Sequence, residues 1–400
     1  MNQNRPIIFS LACVVCVLLT GFAGAQLEKE AKPKQAQAPA PIENNVLDDA
    51  QWKQVDQSVE RGLAWLASQQ KPDGSFPSLD AGQPGVSSFV LMAFMAKGKS
   101  PAVGKYSKTL IRAIDFIVSK QKSNGLIAAL APDAAPISRK RVQPNNYDSC
   151  AISYNHAISA LALAEAYGQC DEAQAKKLTG VIKKAIAATG EMQDWEAPRR
   201  LEEGGWKYIS DDPNDGSDLS ATALQLMFLR SAKNAGFEVP KQSIDRAMVF
   251  IERCYNEKSD VFVYNPYLKN TESRAMAGAG VVAMSHGGKH QTKKAQKSGD
   301  WILTRDFTDY NADESINGWD WQPDRYHYGV FHCTQAMYLL GGKHWTQFFP
   351  PVVETLLANQ QDDGSWPPEK YDKRYGNCYS TSLCVLSLSV PDQLLPIFQR

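Results

Sequence analysis

Five stretches of this 400-residue chain gather the side chains that could do chemistry. Tyr147, Asp148 and Cys150 stand in the first. Trp206 and Tyr208 share the second with Asp211, Asp212, Asp215 and Asp218. Tyr264, Tyr267, Glu272 and Arg274 form the third. Trp319, Trp321, Tyr326, His327 and, a little further on, His332 form the fourth, and Tyr371, Tyr375, Cys378 and Tyr379 the fifth. Aromatic faces that converge with a few charged groups are what a ligand pocket needs. Asp218 is the candidate acid, because burial tunes a carboxyl upward toward neutral pH, and His327 and His332 are the candidate bases. Asp148, Tyr154, Trp206, Arg274, Trp319, Tyr326 and Tyr379 are the candidate ligand contacts. A plainer role competes for single residues: Asp148, Asp218 and Asn377 have the chemistry of helix N-caps.

The elements that must position these groups are helices of two alternating kinds. Nearly apolar stretches with small residues occupy 86–96, 149–167, 218–232, 273–285, 326–340 and 377–389. Stretches charged on one face occupy 55–70, 105–121, 173–188, 241–254, 292–305 and 351–361. The first kind suits an inner layer packed on all sides, the second an outer layer facing water. A repeated phrase punctuates the outer helices: GLAWLASQQKPDGSF at 62–76, AIDFIVSKQKSNGLI at 113–127 and ETLLANQQDDGSW at 354–366. In each, Gln is followed four residues later by Gly. Gly74 and Gly364 can take positive φ at a helix-ending turn, Asp73 and Asp363 favour that turn, and Phe76 or Trp366 can pack back on the helix. Related first and last units predict an all-α fold, an α/α toroid of six helix pairs whose ends meet, which needs no polar capping repeats.

The Gln-x-x-x-Gly-Ser-Phe/Trp ending resembles the QW repeat of squalene–hopene and oxidosqualene cyclases, whose toroid is shared by protein prenyltransferase β subunits. YNHAISALALAEAYG (154–168), GSDLSATALQLMFLRSAKNAG (216–236), HCTQAMYLLGGKHW (332–345), NCYSTSLCVLSL (377–388) and LPIFQR (395–400) resemble secreted planctomycete-type members of this repeat group. The likeness covers about residues 55–400. It implies a pocket where the inner helices begin, an apolar, isoprenoid-like ligand, and Gln70, Gln121 and Gln360 bonded to backbone groups at helix ends. The chain also departs from those enzymes. The D-x-D-D acid motif of triterpene cyclases is missing, DDPNDGSD (211–218) and NADE (311–314) having other spacings, and the chain holds one toroid where those cyclases pair two. Asp148 with Cys150 and Asp324 with His327 offer zinc-type ligands. They fall on pairs two and five, across the ring from one another, so no metal and no other cofactor is expected. The GCGEQ-like thioester motif of α-macroglobulin toroids is missing too.

The leading expectation is therefore a toroid that binds, and could transform, an apolar ligand. A carbohydrate-active toroid is the first alternative, with Asp211, Asp212, Asp218 or Glu314 paired as carboxylates among Trp206, Trp319 and Trp321. A non-catalytic envelope scaffold, or a binding protein for a polymeric ligand, is the second. A deep cavity lined by Asp218, Arg274 and His332 would favour ligand chemistry; a centre plugged by Phe and Met would favour the scaffold.

Bulk properties narrow the partners. Lys plus Arg equals Asp plus Glu, 43 each, so no global field recruits nucleic acid. Arg5, the apolar run at 7–19 and Ala23-Gly24-Ala25 read as a signal peptide (1–25) cleaved near Ala25, implying export to the periplasm or beyond. Residues 26–50, rich in Pro, Ala, Gln and Lys, read as a disordered linker to a toroid domain over 51–400. No second long apolar run follows, so the mature chain is expected to lack a membrane span. Beyond Cys13 and Cys16, Cys150, Cys170, Cys254, Cys333, Cys378 and Cys384 are widely spaced and read as buried small hydrophobes. Export would still allow Cys333 to pair with Cys378 or Cys384. His156, opening an apolar run, reads as a buried, hydrogen-bonded imidazole.

Overall fold

The computed structural model describes residues 46–137, 146–209, 215–312 and 324–399, with the backbone alone for 146–149. All of them lie in one compact unit, Ala40–Arg400. Outer helices α1 (Asp49–Ser68), α3 (Ser107–Ser119), α5 (Glu172–Gln193), α7 (Lys241–Arg253), α9 (Lys293–Leu303) and α11 (Gly342–Ala358) alternate with a second set. These inner helices are α2 (Gly85–Ala96), α4 (Asn146–Tyr167), α6 (Leu219–Asn234), α8 (Arg274–His286), α10 (Tyr326–Leu340) and α12 (Asn377–Leu388). Each inner helix packs on the next, and α12 packs on α2, so the ring closes. The predicted toroid of six pairs is the observed fold.

The layer assignment follows from side-chain pattern. All twelve residues of α2 are buried, whereas α3 buries one stripe, Leu110, Ala113, Ile114, Phe116 and Ile117. Burying such side chains contributes roughly 1.5–3 kcal/mol each, which is the drive that stacks the pairs. Asp48 opens α1 with a reciprocal capping box to Gln51, so the ring begins a few residues before position 51. Two element boundaries differ from the sequence expectation. The outer stretch expected at 351–361 belongs to a helix that begins at Gly342 and carries Pro350 and Pro351 inside it. Its added turns are held by Trp345, stacked on Phe349 at 4.1 Å. Asn377 is the first residue of α12 rather than its cap, because Gly376, at φ 79°, makes the turn.

The repeat phrase works as a staple between neighbouring outer helices. Gln70 Nε2 donates to Gly74 O (3.1 Å) and to Thr109 O of α3 (2.8 Å). Gln121 does the same to Gly125 O and Val181 O, and Gln360 to Gly364 O and Ser58 O, the last joining the ring's two ends. A fourth staple, not expected from sequence, is Gln193, bonded to Gly204 O (2.8 Å) and Ser243 O (2.9 Å). Its glycine lies 11 residues on rather than four. At Gly364, φ is +95° and an added Cβ would stand 2.6 Å from Arg61 O, so the turn fits against its neighbour only without a side chain. Ion pairs serve at the two remaining junctions: Lys297 with Asp260 (2.6 Å) between α9 and the α7 side, and Asp300 with Lys343 (2.6 Å) and His344 (2.9 Å) between α9 and α11.

Two features stand outside the helix pairs. Antiparallel strands β1 (Tyr255–Asn256), β2 (Val261–Asn265) and β3 (Leu268–Glu272) form a small sheet between α7 and α8. At the other end of the ring, residues after α12 run across the C-terminal ends of the inner helices. Val390, Leu395, Ile397 and Phe398 are buried there, and the segment packs on α10, α12 and finally α6. Among the described residues no helix is long and apolar enough to cross a membrane. All six described cysteines are free, and Cys333 Sγ donates to Arg274 O at 3.1 Å instead of pairing.

Candidate functional site

A cavity of about 630 Å³ opens where the inner helices begin. Gly85 of α2, Cys150 of α4, Ser220 of α6, Ala275 of α8, Tyr328 of α10 and Tyr379 of α12 all line it, so the six inner helices run parallel and share one mouth. Its depth is apolar, with Val86, Phe89, Ile158 and Met276, and its rim carries Glu272, Arg325, Asp372 and Arg374. This size and this apolar wall with a few polar groups suit one small organic ligand.

The sheet supplies a side of the mouth through Tyr264, Leu268 and Glu272. Asn265 fixes it, its Nδ2 donating to Glu202 Oε1 (2.9 Å) and Ser217 O (2.8 Å). That tie brings Tyr264 to the residue just before α6, Asp218. Asp218 Oδ1 accepts the Ala221 N–H at 2.8 Å, which is the N-cap of α6. Its Oδ2 makes no short hydrogen bond among the described residues, although the Tyr208 and Tyr264 hydroxyls are near enough to act on it. Burial pushes this carboxyl up to about 7, while the capping N–H and the hydroxyls of Tyr208 and Tyr264 pull the other way. A carboxyl so placed keeps its proton near neutral pH.

A run of hydroxyls leads from it to the cavity wall. Tyr208 and Tyr264 are hydrogen-bonded through their hydroxyls, and Tyr208 stands 3.2 Å from the Tyr154 hydroxyl. Tyr154 continues to Ser220 Oγ at 2.7 Å, and Ser220 to the Tyr328 hydroxyl at 3.2 Å. Tyr154, Ser220, Tyr264 and Tyr328 face the cavity; Asp218 stands behind them and is not part of the wall. Hydroxyls both donate and accept, so this chain can carry a proton between Asp218 and a bound molecule.

The other sequence-predicted residues are distributed as follows. Tyr154 and Tyr379 line the cavity. Trp206 does not; its indole N–H donates to Thr189 O at 2.8 Å and it is packed in the core. Arg274 lies behind the wall in a buried ion pair, Nε to Asp324 Oδ2 at 2.5 Å, with its guanidinium 4.0 Å from the Phe307 ring centre. Tyr326 donates to Phe307 O at 2.9 Å and is likewise enclosed. His327 and His332 are buried outside the wall, and burial pushes both down to about 3. They are neutral and only weakly basic. His327 Nε2 lies 3.1 Å from the Tyr310 hydroxyl, and His332 packs edge-on against Tyr328. His156 is buried with Nδ1 accepting from Ile127 N–H at 3.1 Å, as its apolar setting predicts. Trp319, Trp321, Asp211, Asp212, Glu314 and the Asp148 side chain lie outside the described residues. The cavity therefore exists, but Asp218, Arg274 and His332 all stand outside its wall, and Phe89, Phe331 and Met92 fill the ring beneath it.

Sequence reasoning missed three contributors. The sheet was readable in principle, since VFVYN is β-branched and aromatic and a Pro-containing turn follows. Tyr328 lay inside a helix with no mark to separate it from core aromatics. Glu369 and Asp372 carry no mark in the sequence, although the fold buries both. Among the described residues no group of three or more His, Cys, Asp or Glu side chains could hold a metal ion.

No protein-family model and no curated protein sequence matches the chain. Solved structures do. Type II terpene cyclase MstE from Scytonema, in complex with geranylgeranyl dihydroxybenzoate, is 12% identical with a TM-score of 0.55, covering 87% of this chain and 99% of its own. A glycosidase in complex with glucose is 11% identical with a TM-score of 0.53, covering 88% of this chain and 100% of its own. A protein from Actinoplanes is 13% identical with a TM-score of 0.50, covering 84% and 98%. At these identities the likeness is one of fold, the α/α toroid that the terpene cyclase and the glycosidase share.

Proposed function

We propose that the ring binds a largely apolar, isoprenoid-like molecule in the cavity and that Asp218 is its acid, acting through the hydroxyls of Tyr264 and Tyr154. The observation that carries this reading is the Asp218 carboxyl, 1% exposed, with the Tyr208 and Tyr264 hydroxyls beside it and a chain of hydroxyls from them to the cavity. A proton passing from Asp218 along that chain to an alkene carbon leaves Asp218 as carboxylate and the ligand as a carbocation. Loss of a proton from a neighbouring carbon then gives an isomer of the starting molecule. Faces of Tyr154, Tyr328 and Phe89 on the wall favour the cationic stage. The terpene cyclase of the same fold, seen with a geranylgeranyl compound, supports the ligand class.

Incubating the protein with geranylgeraniol and analysing the extract by gas chromatography–mass spectrometry tests it. The expected result is one or more products of unchanged mass, lost by about a hundredfold in Asp218→Asn, the usual scale for removing a general acid. Equal product from the variant, or none from the parent, overturns the assignment.

A glycan-acting ring is a second reading, favoured by Glu272 and Asp372, two carboxyl side chains on the cavity wall, and by the glycosidase of the same fold. Release of nitrophenol from nitrophenyl glycosides, abolished in Asp372→Asn, would move the conclusion there.

A further inference from the structure

Charge over the whole chain sums to zero, yet one outer helix carries a local excess. In α5 the residues three and four positions before and after Gly180 are Lys176, Lys177, Lys183 and Lys184. Those offsets give a residue its nearest neighbours on a helix surface, so four ammonium groups ring one glycine. All five residues are exposed, while Leu178, Ile182 and Ala185 bury the opposite face. With about 3.6 residues per turn, Lys176 and Lys183 fall on one side of Gly180, and Lys177 and Lys184 on the other. The exposed Ala173 and Ala187 continue the low line between these two rows.

The fold makes little use of these groups. Among the described residues only Lys177 has a counter-ion, Asp115 of α3 at 2.7 Å. Both side chains of that pair are about half exposed, and such a pair contributes little. The lysines around α9 are the contrast: Lys289, Lys294 and Lys297 are paired with Glu252, Glu257 and Asp260. The acids of α5 itself stand at its ends. Asp171 caps the helix, Glu172 opens its first turn, and Glu191 accepts the Ile137 N–H at 2.6 Å. Nor does packing require Gly180. A Cβ added there meets nothing within 4 Å, so alanine would fit and would make a stronger helix. Bare backbone at that point serves something that approaches from outside, between the lysines.

The layout restricts what approaches. The two lysine pairs are seven residues apart, about 10.5 Å along the axis, so a linear polymer lying on the helix can set successive charges on them. A membrane surface would be met by large apolar side chains beside the lysines, and the exposed line offers only Ala and Gly. No arginine fork is present to clasp a phosphate at two points; lysine answers to charge alone. Charges spaced by about the length of a disaccharide suit a sulfated glycan, whereas those of a polyphosphate stand much closer together.

We propose that the outer face of α5 binds a linear sulfated polysaccharide, which lies over Gly180 between the two rows of lysine. The occupant of the cavity does not enter this inference.

Isothermal titration of the full-length protein with dextran sulfate, uncharged dextran, polyphosphate and phosphatidylglycerol vesicles tests it. Dextran sulfate is expected to bind tightest, with an affinity that falls steeply as salt rises, and dextran not to bind. Lys176→Gln combined with Lys183→Gln should weaken dextran sulfate at least about tenfold. Lys294→Gln combined with Lys297→Gln removes the same charge and should leave affinity within about threefold. Gly180→Leu should weaken binding about tenfold while the melting temperature holds or rises, an outcome that a loosened fold would not produce. Equal binding of dextran, or tighter binding of polyphosphate or vesicles, overturns the proposal. So does an α9 variant that loses as much as the α5 variant, since the general field would then be responsible. Unchanged affinity in Gly180→Leu overturns it as well, because nothing would then lie over that backbone.

Discussion

The two ends of the ring are built from the same six inner helices and held together by different forces. At the mouth, directional polar contacts dominate: the four glutamine staples, the Asp218 cap and the Arg274–Asp324 pair. At the far end, Val390, Leu395, Ile397 and Phe398 close the ring by apolar burial. Each end also holds one buried carboxyl that burial pushes up to about 7. At the far end it is Glu165, offset by Ser231 and the Ile397 backbone; at the mouth it is Asp218, offset by its cap and the tyrosines. The Glu165 carboxyl meets the chain that seals the ring, and the Asp218 carboxyl meets hydroxyls that face open space. The difference teaches that proton-carrying groups become useful only at the end where the ring is left unfilled.

Deleting residues 390–400 should break this comparison most forcibly. Four buried side chains at roughly 1.5–3 kcal/mol each amount to about 6–12 kcal/mol, comparable to the whole stability of a typical domain. The expected product is unfolded or aggregated, as read by circular dichroism and size exclusion. A native melting curve would show that the far end is not held by burial.

Asp218→Asn is the next largest test, and its sign depends on pH. An unfolded Asp218 ionises near 3.8, whereas the folded one keeps its proton to about 7. Folding therefore holds the extra proton between these values, and the stability Asp218 lends is full below pH 4 and lost as the pH rises through 7. Above that, the folded chain carries a buried carboxylate at a cost on the order of 4 kcal/mol. Asparagine still caps a helix, so the variant should match the parent at pH 4 and outlast it in urea at pH 8. A variant less stable at pH 8 would mean that the carboxylate is well accommodated and the acid role misplaced.

Gly364→Ala sharpens the mouth half of the comparison, with an expected loss of about 1–3 kcal/mol from left-handed backbone and the approach to Arg61 O. Gly104→Ala is its control, since that glycine has a similar φ of +101° but no neighbour within 4 Å of an added Cβ. Equal losses in the two variants would show that the tight fit to the next helix contributes nothing beyond backbone strain.

The sequence disclosed the ring through its repeats, because Gln70, Gln121 and Gln360 keep a fixed spacing to the glycines they serve. Gln193 escaped notice for the opposite reason: an inserted loop lengthens the spacing while three-dimensional fit preserves the bond. Asp218 was readable as a cap and as a buried acid from one position before an apolar helix. Its separation from the cavity was not, since a single turn of backbone decides whether a side chain faces the wall or stands behind it. Trp206 and Arg274 illustrate the same point, being polar-tipped groups whose hydrogen bonds turn them toward the core. Asp372 and Glu369 gave no signal because burial of a loop charge is imposed by distant helices.

The staple between Gln360 and Ser58 spans 302 positions of sequence and joins the last outer helix to the first. The other glutamine staples join outer helices that follow one another along the chain, but this one needs the first and the last outer helix to meet. Until they do, the first outer helix has an unmated flank. Contacts so far apart also slow the final step of folding relative to the local pairing that precedes it. The molecule is joined as an arc of neighbouring pairs and becomes a ring when its first and last outer helices meet.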